Sequence, residues 1–141
     1  MVENNYVFDK NSSSHPSFEI MNKKLINDCK RLSGWGGTNK VDVNCIALEN
    51  YQQLQELIVN AKRRSLIPRG LGRSYGDVAQ LKNQNVLNLS KFNHIHLDSK
   101  NSIVTVGGGV SFENLLNAII PEGFFLPVSP GTKYVTVGGA I

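Results

Sequence analysis

Three glycines within seven residues, Gly70, Gly72 and Gly76, follow the apolar run Leu66-Ile67-Pro68 and are interleaved with Arg69, Leu71, Arg73, Ser74, Tyr75 and Asp77. Each glycine costs a helix or strand about 0.5–1 kcal/mol relative to alanine, so regular structure ends here and the chain turns. Backbone N–H groups that converge in such a turn form a concavity for an anion, and neighbouring arginines supply matching charge. The residues therefore predict a loop that cradles a phosphorylated ligand.

What precedes the loop places it at the end of a strand. Val41–Leu48 alternates and then turns apolar, which reads as a strand. Asn50 can cap the helix that follows, with Gln53 completing a capping-box pattern. Leu54, Leu57, Ile58 and Ala61 give that helix one apolar face, and Lys62-Arg63-Arg64 reads as its solvated C-terminal end. Ser65–Pro68 is a short strand running straight into the glycines, a common position for a ligand in β-α architecture.

Downstream, Val86–Leu89 reads as a strand, and His94–Leu97 with Ser102–Val106 as a hairpin turning at Asp98–Asn101 and ending in Gly107-Gly108-Gly109. Ser111 caps a helix carrying Phe112, Leu115, Leu116 and Ile119, stopped by Pro121 and Gly123. Phe124–Val128 reads as a buried strand or strand-like run, Ser129–Thr132 as a turn, and Val135–Ile141 as a β-run entering a second glycine pair, Gly138-Gly139. Near the N-terminus, residues 1–17 read as a flexible tail, and Phe18, Met21, Leu25 and Cys29 form a weak helical pattern broken at Ser33–Thr38. Trp35 stands between glycines there, as a packed anchor under a loop or as a ligand neighbour.

Several function classes are disfavoured. A net charge of +4 over 141 residues is mild, and the basic residues form no stripe with aromatics, so nucleic acid is not the expected partner. Cys29 and Cys45 make neither a zinc pattern nor a disulfide framework. His94 and His96 share a strand face in this reading but lack a third ligand, so no metal is expected. No apolar run approaches the ~20 residues of a membrane span, and residues 1–17 lack a signal-peptide core. The expected location is the cytoplasm.

Two common phosphate loops do not fit. A Walker loop requires lysine after its last glycine, where Arg73 stands after Gly72. A Rossmann fingerprint requires glycine or alanine at position 75, which is Tyr75, and a helix behind it. What remains is a strand, a glycine turn and a distant second glycine turn, suited to gripping one extended ligand such as a dinucleotide from two sides.

Pro68–Asp77, together with Pro130-Gly131-Thr132 and Val135–Ile141, resembles the N-terminal half of the FAD-binding domain of FAD-linked oxidoreductases with the vanillyl-alcohol-oxidase, or PCMH-type, fold. The similarity runs from about Leu32 to Ile141 and includes Ser33-Gly34-Trp35-Gly36 and Phe124–Val128. It is strongest toward the branch that oxidises a lipid-linked pentose. The resemblance implies an α+β fold in which a small mixed sheet with packed helices forms the first lobe of that domain, over residues 18–141. It implies FAD held by Pro68, Arg69, Gly70, Leu71, Gly72, Arg73, Ser74, Tyr75, Gly76, Asp77 and Val78 on one side. Gly131, Thr136, Val137, Gly138 and Gly139 would close from the other, with Tyr75 near the flavin.

Several relatives carry a flavin-bonding histidine where this chain has Arg73, so the resemblance implies non-covalent FAD. The implied activity is oxidation of a hydroxyl on a sugar or lipid-linked sugar phosphate by hydride transfer to FAD, with a reductase as possible partner subunit. The family's histidine–glycine–lysine–asparagine motif beyond Gly-Gly-Ala-Ile, the rest of the FAD domain and the substrate domain are not present. No catalytic residue is therefore assigned, and the expectation is a portion inactive alone. The alternatives are a remnant or isolated lobe that does not bind FAD by itself, and a generic anion-binding or partner-subunit module.

Overall fold

The structure is a computed structural model that describes residues 26–61 and 65–141. Two packed units share the chain. The first is a four-stranded sheet built from β1 (Ile26–Leu32), β2 (Val41–Ala47), β3 (Leu66–Arg69) and β4 (Asn85–Asn88), in spatial order β1-β2-β4-β3. β1 runs antiparallel to β2, while β4 lies parallel between β2 and β3, pairing Ile46 with Leu87 and Ile67 with Val86. Helix α1 (Tyr51–Asn60) connects β2 to β3, the crossover that parallel strands require.

Asn50 begins α1 as its sequence predicts: its side chain accepts from the Gln53 N–H at 2.9 Å. Gln53 reaches back to the N–H of Glu49, one residue before the cap, rather than to Asn50 itself. Leu57 is fully buried against Ile46, Leu48, Leu87 and Phe92, with Leu54, Leu66 and Leu89 packed around them. Burying side chains of this kind contributes roughly 1.5–3 kcal/mol each. The apolar face is narrower than the sequence spacing implies, because Ile58 is 59% exposed. One row through Leu54 and Leu57 suffices to cover a strip of sheet this narrow.

The second unit is the hairpin β5 (Ile95–Asp98) and β6 (Ile103–Val106) with helix α2 (Phe112–Ile119). Its register pairs Ile95 with Val106 and Leu97 with Val104. These four share a face and pack against Val110, Leu115 and Ile119 of the second core. Ser111 caps α2, accepting from the Asn114 N–H at 3.1 Å, and a 3₁₀ turn (Ile120–Glu122) ends in left-handed Gly123.

Four expectations need correction. Cys29 lies in β1, not in a helix; the rest of that pattern, the tail and Lys62-Arg63-Arg64 lie outside the described residues. Pairing of β1 with β2 overrides the weak helical spacing. His94 precedes β5, so only His96 belongs to the strand. Phe124–Val128 is not a strand: Phe124 and Leu126 enter the second core, but Phe125 and Val128 are exposed. Its alternation therefore survives without a ladder, which Pro127 and Pro130, lacking N–H donors, cannot join. Finally, Val135–Ile141 is not a β-run. Thr136 makes one isolated bridge to Ser111, and Val137–Ala140 forms a single helical turn, α3.

Candidate functional site

β3 ends at Arg69, and the loop Gly70–Val78 that follows it contains neither helix nor strand. Opposite lies Lys133–Gly139, tied to the second unit by backbone bonds. The Phe112 and Glu113 N–H groups donate to the Val135 and Lys133 carbonyls, both at 3.0 Å. Val137 and Gly138 donate to Val110 and Gly108 at 2.8 and 3.0 Å. Lys133 is also paired with Glu113 at 2.8 Å, and that hydrogen bond and charge raise the Lys133 ammonium above its ordinary pKa.

The two segments meet where Gly70 faces Thr136. A Cβ on Gly70 would run into the Thr136 hydroxyl, and Thr136 is only 5% exposed, so neither side has room to give. Gly72 has φ +67, a backbone conformation that costs other residues about 1–2 kcal/mol. Around this contact is a cleft of about 220 Å³ lined by Pro68, Gly70, Leu71, Gly72, Arg73, Ser74, Ala79, Val135, Thr136 and Gly139. A second cleft of about 310 Å³ shares Gly70, Leu71 and Thr136 and continues over β2 and β4, past Cys45, Val86, Asn88 and Leu89.

The loop's arginines have different tasks. Arg69 is committed to the fold: its guanidinium donates to the Ser33 carbonyl at 2.7 Å and the Ala79 carbonyl at 3.1 Å. Arg73 is exposed, lies 4.4 Å from the centre of the Trp35 ring, and donates only Nε, to the Tyr134 carbonyl at 3.3 Å. Among the described residues its terminal guanidinium N–H groups make no hydrogen bond. Trp35 is 55% exposed, so it is not a buried anchor; its backbone N–H holds the Ser74 carbonyl at 2.7 Å.

Eight of the sequence-selected residues therefore line the first cleft: Pro68, Gly70, Leu71, Gly72, Arg73, Ser74, Thr136 and Gly139. Arg69 lines the second. Tyr75, Gly76, Asp77, Val78, Gly131, Val137 and Gly138 line neither, and Tyr75 stands out 81% exposed. Sequence reasoning missed Ala79, Val135 and the Tyr134 carbonyl, none of which carries a side-chain signal. Among the described residues no group of three or more His, Cys, Asp or Glu could hold a metal ion, and no helix is long and apolar enough to cross a membrane.

The site fits a diphosphate. Gly70, Gly72 and Gly139 put backbone in the cleft lining, their own Cβ positions being taken by Thr136 and the Arg69 guanidinium, and Arg73 adds a cationic side chain to the same lining. The first cleft is smaller than the roughly 300–1,000 Å³ of whole-ligand pockets, which suits one part of an extended molecule that continues beyond it.

Comparison with known proteins agrees. The family model for an FAD binding domain matches residues 45–141, and the chain belongs to this family of FAD-binding oxidoreductase domains, with the PCMH-type fold. It is 41% identical over 116 residues to a decaprenylphosphoryl-beta-D-ribose oxidase from Mycolicibacterium smegmatis, covering 79% of this chain and 25% of that protein. The chain thus spans about a quarter of the length of that curated relative. Its backbone matches cholesterol oxidase from Brevibacterium sterolicum with a TM-score of 0.70 at 16% identity, covering 80% of this chain and 23% of the other. Alkyldihydroxyacetonephosphate synthase matches with a TM-score of 0.65 at 15% identity, over 94% and 29% of the two chains. At such identities these structures speak for the fold alone.

Proposed function

We propose that this chain supplies the diphosphate-gripping portion of an oxidoreductase that oxidises a hydroxyl of a sugar or lipid-linked sugar phosphate. The observation that carries the reading is the Gly70–Thr136 contact, which makes two distant glycine segments one clamp with Arg73 at its mouth. The substrate class follows from the 41% identity to an oxidase of decaprenylphosphoryl ribose. FAD, when bound, supplies the hydride acceptor.

The chain's own residues bind and orient. Gly70, Gly72 and Gly139 line the cleft with backbone beside the diphosphate, Arg73 neutralises its charge, and Tyr75, which is exposed, would lie near the flavin. Arg69 keeps the loop in shape through Ser33 and Ala79. Arginine cannot make the histidine–flavin bond, so the cofactor is held non-covalently. The remaining groups of chemistry come from segments of a longer protein, which works in the cytoplasm with a reductase acting on the oxidised sugar.

Two measurements test this. Trichloroacetic acid should release all flavin into the supernatant; flavin remaining with the pellet refutes non-covalent binding. Anaerobic addition of a polyprenylphosphoryl pentose to the full-length flavoprotein should bleach the visible flavin absorbance. Bleaching by sterols but not by the sugar lipid would overturn the substrate class.

A further inference from the structure

We infer that Trp35 and Arg73 form a latch that sets the separation of the two glycine segments, making Trp35 a positioning residue for the cofactor cleft; this rests on the FAD reading above. Ser33–Trp35 runs as a strap behind the loop. Arg69 donates to the Ser33 carbonyl at 2.7 Å, and the Trp35 N–H donates to the Ser74 carbonyl at 2.7 Å. Between them, Gly34 packs so closely that a Cβ there would meet the carbonyl oxygen of Gly76. The strap therefore grips the loop by backbone on both sides, and its one large side chain is free to act elsewhere.

That side chain lies under Arg73, whose guanidinium carbon is 4.4 Å from the ring centre. The same guanidinium reaches the Tyr134 carbonyl at 3.3 Å, across to the second segment. Arg73 is thus the one described side chain seen to bond both Trp35's ring and the Lys133–Gly139 segment. A long, exposed arginine is otherwise rotamer-rich, and ordering it on binding costs part of the affinity it provides. The indole face removes that cost in advance. It holds the plane of the guanidinium so that Nε meets Tyr134 while the terminal N–H groups remain available at the cleft. A lysine at 73 would keep charge but lose the planar stack and the directed Nε bond.

The test is a double-mutant cycle on FAD affinity in the full-length protein, using W35A, R73A and the pair, with W35F and R73K as conservative variants. A cation–π stack contributes enough that W35A should weaken FAD binding by about 3- to 30-fold. In the R73A background the same substitution should change affinity less than about twofold, because the partner is gone. W35F should recover part of the loss and R73K little. In the FAD-free full-length protein, with any other tryptophan replaced by phenylalanine, R73A should shift Trp35 emission and raise its quenching by acrylamide. Equal losses from W35A in both backgrounds, or wild-type affinity in W35A, would overturn the latch. So would Trp35 emission unchanged by R73A. Failure of the wild-type protein to bind FAD at all would instead overturn the cofactor reading, and the latch with it.

Discussion

Gly70→Ala probes the clamp at its tightest point. The new methyl would meet the Thr136 hydroxyl directly and the Thr136 Cγ2 and Cβ at 3.2 and 3.3 Å. Thr136 cannot swing away, being 5% exposed and held between Ser111 and α3. The strand end and the Thr136 segment must separate instead, at an overpacking cost of about 1–3 kcal/mol. Where that separation opens the cleft, FAD affinity falls by about 5- to 150-fold. Urea unfolding of the FAD-free protein and flavin-fluorescence titration would measure the two effects separately. Thr136→Ala removes both the hydroxyl and the methyl that collide, so the double variant should regain most of the stability lost in Gly70→Ala. Double-variant stability no better than the Gly70→Ala single would refute the steric account, because the damage would then arise within the loop itself.

Other consequences follow from the same geometry. Arg69→Met strips two backbone carbonyls of their donor and should lower unfolding free energy by about 1–3 kcal/mol in FAD-free protein, whereas Arg73→Met should lower it by less than about 1 kcal/mol, the weight of an exposed stack, and weaken FAD binding. Equal stability losses in urea would contradict this division. Asn50→Ala should cost about 1 kcal/mol by removing the α1 cap, read from the same unfolding curves. Asp98 accepts from the Asn101 side chain at 2.7 Å and its backbone N–H at 3.2 Å, which lowers its carboxyl below the ordinary value. The stabilisation it gives the hairpin is present above the unfolded carboxylate pKa and is lost as pH falls through the lowered folded value. Asp98→Asn should flatten that part of the acid unfolding profile, and an unaltered profile would argue against it.

The elements that could be read from the sequence are those whose signal is local. Asn50 and Ser111 mark helix starts because a cap is satisfied within three residues. The β5–β6 register follows from alternation around a turn closed by Asp98 and Asn101. The errors fall where distant partners decide. Cys29 belongs to a strand because β2 is beside it, and the Val135–Ile141 segment coils because its N–H groups at Val137 and Gly138 find the Val110 and Gly108 carbonyls instead of a strand edge.

The site follows the same division. The glycine spacing announced a cradle, and the Gly70–Thr136 meeting is consistent with two segments holding one ligand. The different duties of Arg69 and Arg73 could not be seen in the chain, since they depend on Ser33, Trp35 and Tyr134, up to 61 residues away. Gly107-Gly108-Gly109 read as the end of a hairpin. It also carries the carbonyl of Gly108 that holds Gly138, which a run of three glycines could have signalled as a close backbone approach.

The claim that the two glycine segments grip a diphosphate is tested most directly by comparing FAD with riboflavin, which has the same isoalloxazine and no phosphate, in equilibrium titrations followed by flavin fluorescence. Charge-assisted bonds from Arg73 and the loop predict that FAD binds at least about tenfold more tightly, with the advantage shrinking in Arg73→Met. Riboflavin binding as tightly as FAD, or a preference for FAD untouched by Arg73→Met, would contradict it.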